Sequence, residues 1–382
     1  MKMRKKKEPT AAYIAKRIQR NLKSHLKKKL QNVYKTGDWQ IALKYRDALN
    51  RKHKPSVSKR LHIERLCKNS RVKIHAPKQI DFYNVHNFEV VTAFLTRIRK
   101  CVRGGGRVFI NFSQTEYISA AAMLSFLAEI EVLITESPLG QRVIAFSHPE
   151  NDKVESILKQ VGFYGLLKKA ERQTKEYDDV TFWKYASGVC SEPVLAKEIF
   201  AEVKQEIQMA GSKKLYRGFV EAMSNSVEHA YAVVKQLGDG GATSKWWAFA
   251  GIKDGNLIFV ICDKGVGIPN TLPATQKGNI DTIFKLLGII GRKDSSFIKA
   301  ATNLSKTSTL LPNRGKGFKD IKSVIDTHDS ARLSIFSNRG RYMYKGVDRG
   351  KIKEIAYDYK HSVNGTIIEW LLPLSREGVV NE

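Results

Sequence analysis

The chain has 382 residues, 66 of them Lys or Arg against 37 Asp or Glu, for a formal net charge of +29. Its mean hydropathy is -0.34, and apolar runs such as 283–291 (IFKLLGIIG) stop well short of the roughly 20 residues a membrane helix needs, so no membrane partner is expected. Cys67, Cys101, Cys190 and Cys262 lie far apart with no CxxC pair, which argues against a disulfide framework or a zinc site. No apolar run comes after the basic N-terminus, so no signal peptide is expected and the location read from the chain is cytoplasmic. The length predicts two or three domains.

Residues 1–70 form the first. They hold 22 Lys and Arg against four acids (Glu8, Asp38, Asp47 and Glu64), a net of +18, so most of the excess charge sits there. Ile14, Ile18, Leu22, Leu26 and Leu30 recur every fourth residue and predict a helix. A second helix is expected over 38–50, and Pro55 interrupts the chain beyond it. Such a basic helical arm suits nucleic-acid phosphates or an acidic protein surface. It carries no base-reading motif.

Residues 71–170 alternate strands and helices: a strand over 105–113, an amphipathic helix over 119–134, a strand over 140–147 and a helix over 150–162. That pattern predicts a compact α/β module. The runs INFSQTEYISAAAMLSFL and QRVIAFSHPENDKVESILKQVGFYGLL resemble the STAS domain, the module of anti-sigma-factor antagonists. That module's phosphorylatable Asp-Ser pair falls on Ser119-Ala120 here. The alanine has no hydroxyl, and Ser119 reads as a helix N-cap, with a displaced phosphoacceptor as the alternative.

A polar linker is expected near 168–190, leading to a domain over 185–375. Within it EAMSNSVEHAY (221–231) reads as the middle of a helix. Phe219, Met223, Val227 and Ala230 face a core, and Glu221, Asn225 and His229 stack along one line beside them. Asparagine is a poor helix-interior residue because its amide competes with the backbone. WWAFAGIKDGNLIFVICD (246–263) reads as a hairpin turning at Asp254-Gly255 and ends in Asp263-Lys-Gly265-Val-Gly267. Gly315-Lys316-Gly317 opens a helix that runs to about Asp326, and Gly365-Thr366 leads a final strand.

In this order the four motifs resemble the N, G1, G2 and last boxes of the GHKL ATPases, and EAMSNSVEHAY is similar to anti-sigma-factor kinases. The resemblance implies an α/β sandwich that binds ATP with Mg²⁺. A carboxylate at a strand end, as Asp263 would be, can accept from an adenine amino group. Gly265 and Gly267 let backbone pass close to a nucleotide. Gly315 and Gly317 sit at a helix start, which favours phosphate. Lys316 adds a cationic contact or faces solvent, and Thr366 offers a hydroxyl near the base. Asn225 offers a hard amide oxygen suited to Mg²⁺ among phosphates, and Glu221 is placed to activate a water or hydroxyl. By resemblance these two are the metal ligand and the general base. His229 reads as a packed histidine, with a phosphate contact as the alternative. Residues 270–314 would form a flexible lid.

The expectation is therefore an α/β protein in three parts, with an ATP-dependent conformational switch acting on a partner protein and room for an oligomer. Two alternatives stand beside it. One is a Ser/Thr kinase of the anti-sigma type; the other is a nucleic-acid-bound regulatory or defence factor gated by ATP.

Overall fold

The computed structural model describes residues 71–175, 177, 180–189, 212–231, 245–276, 278–304, 316–327, 330–348 and 351–373. The arm helices expected within 1–70, Cys67, Cys190 and Gly315 lie outside them. The described part is mixed α/β, and none of its helices is long and apolar enough to cross a membrane.

Strands β1 (Val72–His75), β3 (Val108–Asn111) and β5 (Ile144–Ser147) pair in parallel in that order, and the two-residue β2 (Gln79–Ile80) and β4 (Tyr117–Ile118) pair beside them. Parallel neighbours need crossovers, which α1 (Val85–Arg103) and α2 (Ala120–Glu136) supply. Asn84 starts α1 by accepting from the N–H groups of His86 and Asn87. Ser119 occupies the N-cap position of α2 but makes no cap bond. Its hydroxyl accepts from Phe82 N at 3.4 Å instead, and the residue is 1 % exposed. Helix α2 is not the amphipathic helix expected: every residue from Ala120 to Ile130 is buried. The cause is a second layer on its other side. The strand expected over 140–147 starts only at Ile144, because 140–143 turns as a 3-10 helix with Gly140 at φ 52°. Helices α3 (Asp152–Gln160) and α4 (Phe163–Leu166) complete this layer.

The second layer is a seven-stranded antiparallel sheet. Its strands are β6 (Val180–Gly188), β7 (Trp246–Lys253), β8 (Asn256–Asp263), β9 (Arg332–Ser337), β10 (Gly340–Asp348), β11 (Lys351–Asp358) and β12 (Thr366–Pro373), in the order β11-β10-β9-β12-β8-β7-β6. Strand β6 occupies the stretch expected to be a polar linker. Its backbone pairs with β7 from Val180 opposite Lys253 to Gly188 opposite Trp246, and such pairing needs no apolar run. The β7–β8 hairpin turns where expected: Asp254 (φ 50°) and Gly255 (φ 71°) both adopt left-handed geometry, which matches the twist of the strands.

Alternation along β8 divides the molecule. Leu257, Phe259 and Ile261 face α5 (Ser212–Glu228) and the core built with Phe219 and Met223, whereas Ile258, Val260 and Cys262 face α2 and join the core of the parallel layer. The module and the sheet thus share one continuous core. Among the described residues, neither Cys101 nor Cys262 is in a disulfide. On the far face, α6 (Ile268–Thr275), α7 (Ile280–Leu286), α8 (Asp294–Thr302) and α9 (Lys316–Ser323) accompany α5. The lid expected over 270–314 is folded helix for much of 270–304, with Phe297, Ile298, Ala300 and Ala301 of α8 in the core. Residues 305–314 lie outside the described residues.

Phe88 of α1 stacks on Tyr359 with ring centroids 3.6 Å apart and also meets Phe336 of β9 at 6.1 Å. Phe88→Ala should destabilise the protein by about 3–5 kcal/mol. Because Trp247 lies in the same core, tryptophan fluorescence and circular dichroism should shift together in a urea titration. Two separate transitions would contradict a shared core.

Candidate functional site

Helix α5 and the end of β8 are tied together by a short set of backbone bonds. The helix stops at Glu228, so 221–231 is its end rather than its middle. Asn225 O accepts from His229 N and Ala230 N, and Ala230 O accepts from Val266 N at 2.9 Å. Gly265 packs flat on Ala230: a Cβ there would overlap the Ala230 carbonyl. Tyr231 closes the corner, donating its hydroxyl to Lys245 O and accepting from Lys264 N at 3.0 Å.

Asp263, at the end of β8, is 5 % exposed. Its Oδ1 accepts from Gly265 N at 2.8 Å and from Thr366 N at 3.3 Å, and Oδ2 makes no hydrogen bond to the described residues. Burial pushes the carboxyl up to about 7, against the pull of those two N–H donors and of Lys264. Thr366 stands directly opposite Asp263 in the sheet. Its hydroxyl meets Ser337 Oγ at 3.0 Å, and Ser337 also accepts from Ile268 N at 2.8 Å. Gly267 starts α6 at φ 80°, and Asn338 fills the place a side chain would take there. At Gly365 (φ 121°) a Cβ would strike the Asp263 carbonyl.

The other half of the site comes from α5 and α9. Glu221 is half-buried, and its carboxyl is raised by desolvation and then by the carboxylates of Asp320 and Glu228. Its Oε1 accepts a long 3.5 Å hydrogen bond from Asn225 Nδ2, while Asn225 Oδ1 makes none to the described residues. Gly317, in the first turn of α9, packs so closely on the Glu221 carboxylate that any Cβ there would overlap it. Gly218 lets α5 approach α9 closely: a Cβ added there would lie only 3.2 Å from Asp320 O. No sequence motif singles it out. His229 is exposed rather than packed, since the helix has ended before it.

These groups converge on one cavity of about 580 Å³. Glu221, Asn225, His229, Asp263, Gly267, Gly317 and Thr366 all line it. Gly265 shapes it from behind, through Ala230. Lys316 is the first residue of α9, and its side chain, like Gly315, lies outside the described part. The apolar wall is absent from the motif reading: Ile268 and Leu272 of α6, Ala301 of α8, and Ile368 of β12. A signal for α6 exists in the sequence, because Ile268 and Leu272 are one turn apart after Gly267.

The size lies within the ordinary range for small-ligand pockets, as does the mix of apolar wall and a few polar groups. Among the described residues no group of three or more His, Cys, Asp or Glu side chains could hold a metal alone. A cation here would need ligand oxygens beside Asn225 Oδ1. No protein-family model, curated protein or solved structure matches the chain.

Asp263 also makes stability depend on pH. Its folded value of about 7 exceeds its ordinary 3.8, so the folded state binds the proton more tightly. The stability this adds is complete below pH 4 and is lost as pH rises through 7, by roughly 2–4 kcal/mol. Asp263→Asn should flatten that slope in urea midpoints measured from pH 4 to 8. An equal slope in parent and variant would place the titration elsewhere.

Proposed function

We propose that the chain is a GHKL-type nucleotide-binding protein carrying a STAS-like module, in which ATP with Mg²⁺ sets the conformation presented to a partner protein. One observation carries this reading. Residues from four stretches far apart in sequence (Glu221 and Asn225, Asp263 and Gly267, Gly317, and Thr366) line a single cavity of about 580 Å³.

The cavity has two chemically distinct ends. At one, Asp263 Oδ2 is an open acceptor beside Thr366, with Ile268, Leu272 and Ile368 near it as apolar cover for a flat base. An adenine amino group would satisfy that oxygen and hold the carboxyl ionised. At the other end, the first turn of α9 and the exposed His229 face Glu221 and Asn225. Unpaired N–H groups at a helix start attract phosphate. Asn225 Oδ1 would hold Mg²⁺ together with phosphate oxygens, and the ion would offset their charge. Glu221, its proton affinity raised by burial and neighbouring carboxylates, is the group in reach to accept a proton from an attacking water.

Transfer to a hydroxyl on a separate protein is the second reading, favoured by the wording of EAMSNSVEHAY. Within the chain, Ser119 does not suit as acceptor. It is buried in the layer on the other face of the sheet, with its hydroxyl held by Phe82 N. The net +18 of residues 1–70 supports a nucleic-acid partner for the arm. Full-length protein should retain oligonucleotides at about 50 mM salt and release them steeply by about 200 mM. No retention at the lower salt would favour an acidic protein surface instead.

Calorimetry with ADP or ATP and Mg²⁺ tests the pocket. The parent should bind, and Asp263→Asn should lose about 1.5–3 kcal/mol of affinity. Unchanged affinity in that variant would remove Asp263 from the base site. Glu221→Ala should keep nucleotide affinity and lose about 10²- to 10⁴-fold in phosphate release or transfer. Full turnover in the variant would remove Glu221 from the chemistry.

A further inference from the structure

Asp263 and Lys264 are consecutive, yet their side chains leave opposite faces of the sheet. Asp263 enters the cavity; Lys264 enters the parallel layer, where its side chain is 8 % exposed. Lys264 Nζ donates to Ser125 Oγ at 2.9 Å and to Val363 O at 3.4 Å, and lies 3.8 Å from Glu129 Oε2. Ser125 and Glu129 are one turn apart on α2. Glu129, 3 % exposed, is held in turn by a two-point contact from Arg99 of α1. The Val363 carbonyl belongs to the loop that leads to Gly365 and Thr366, and Val363 N donates to Asn338 O. One ammonium group therefore joins α2, the loop before Thr366 and the turn that aims Asp263.

A buried ammonium is costly unless paired, and burial does lower the Lys264 pKa while Glu129 raises it. The lysine keeps its place only while α2 stays docked. We propose that Lys264, with Ser125 and Glu129, is a positioning residue for the nucleotide pocket, so that the docked α/β layer sets nucleotide affinity and nucleotide binding in turn tightens the layer on the sheet. The second half is a consequence of the first, because coupling between two sites is reciprocal. This inference rests on the nucleotide reading of the cavity.

The test uses full-length protein, with ADP and Mg²⁺ as the probe. Lys264→Met keeps the apolar stem and removes the charge. It should weaken ADP about tenfold, with Glu129→Gln intermediate. Arg103→Met, which breaks an exposed α1–α2 ion pair with Glu136, should leave affinity unchanged. In the parent, saturating ADP should slow amide hydrogen exchange across 120–136; in Lys264→Met that slowing should vanish. The parent measurement stands even if a variant fails to fold. ADP binding without slower exchange in 120–136 would overturn the coupling alone, as would parent-like affinity in Lys264→Met. Absence of ADP binding to the parent would overturn the pocket reading and the coupling with it.

Discussion

The pairing of β12 with β8 is the constraint on which the site depends. Thr366 lies opposite Asp263, and the same register carries on to Pro373 opposite Asn256. A slip of one residue would turn every side chain of β12 to the other face, taking Thr366 and Ile368 out of the cavity and Glu369 into it. The register is enforced from both sides. Trp370 packs with the α5 core and donates its indole N–H to Ile321 O at 2.9 Å, while Ile367 packs into the parallel layer. The Asp263 carboxylate then locks the end of the ladder by accepting from Thr366 N and Gly265 N. A group that could select a ligand thereby also fastens the sheet.

Because both faces of the sheet are covered, β8 is apolar at every position from Leu257 to Cys262 rather than alternating. Antiparallel sheets commonly leave one face to solvent, and a continuous apolar strand is the sign that neither is free. That sign is present in NLIFVICD, as is its counterpart in AAAMLSFLA on α2, an apolar run broken only by the buried Ser125. Read singly, each looks like an ordinary core element; read together, they identify each other as neighbours. The two segments read as parts of separate domains because no local pattern states which buried faces meet.

The elements legible in the chain are those with local causes. Asp254-Gly255 forces its hairpin through two left-handed residues, and Gly317 and Gly365 sit where side chains cannot. The spacing of Glu221 and Asn225 puts both on one helix line, and both reach the cavity. The hidden features depend on distant partners. Strand β6 exists because β7 offers it an edge. Helix α8 is core rather than lid because Phe297 and Ile298 pack beneath β10. His229 is exposed because α5 ends one residue earlier, where Ala230 O turns to Val266 N.

The interface between the layers is not purely apolar, and its polar groups have a pattern. Glu131 of α2 accepts from Tyr185, Trp247 and Lys245 on the sheet. Tyr83 donates to Glu369 at 2.5 Å, and Arg341 reaches Tyr83 O at 3.1 Å. Several neighbouring atoms (Glu369 Oε1, Ser334 Oγ, Arg332 Nε and Arg341 Nε) are buried with no hydrogen-bond partner among the described residues. Buried ions and hydrogen bonds of this kind add little net stability against apolar substitutes, so the shared aromatic and aliphatic core must supply most of the adhesion. What the polar pairs can supply is position, because each is satisfied at one docking geometry only. Orphaned atoms carry a cost of about 1–3 kcal/mol each, which lowers the net gain from docking. An interface held this way is specific in place yet less tightly sealed than an apolar one of equal area. Those are the properties required of a joint through which a module and a pocket could influence each other.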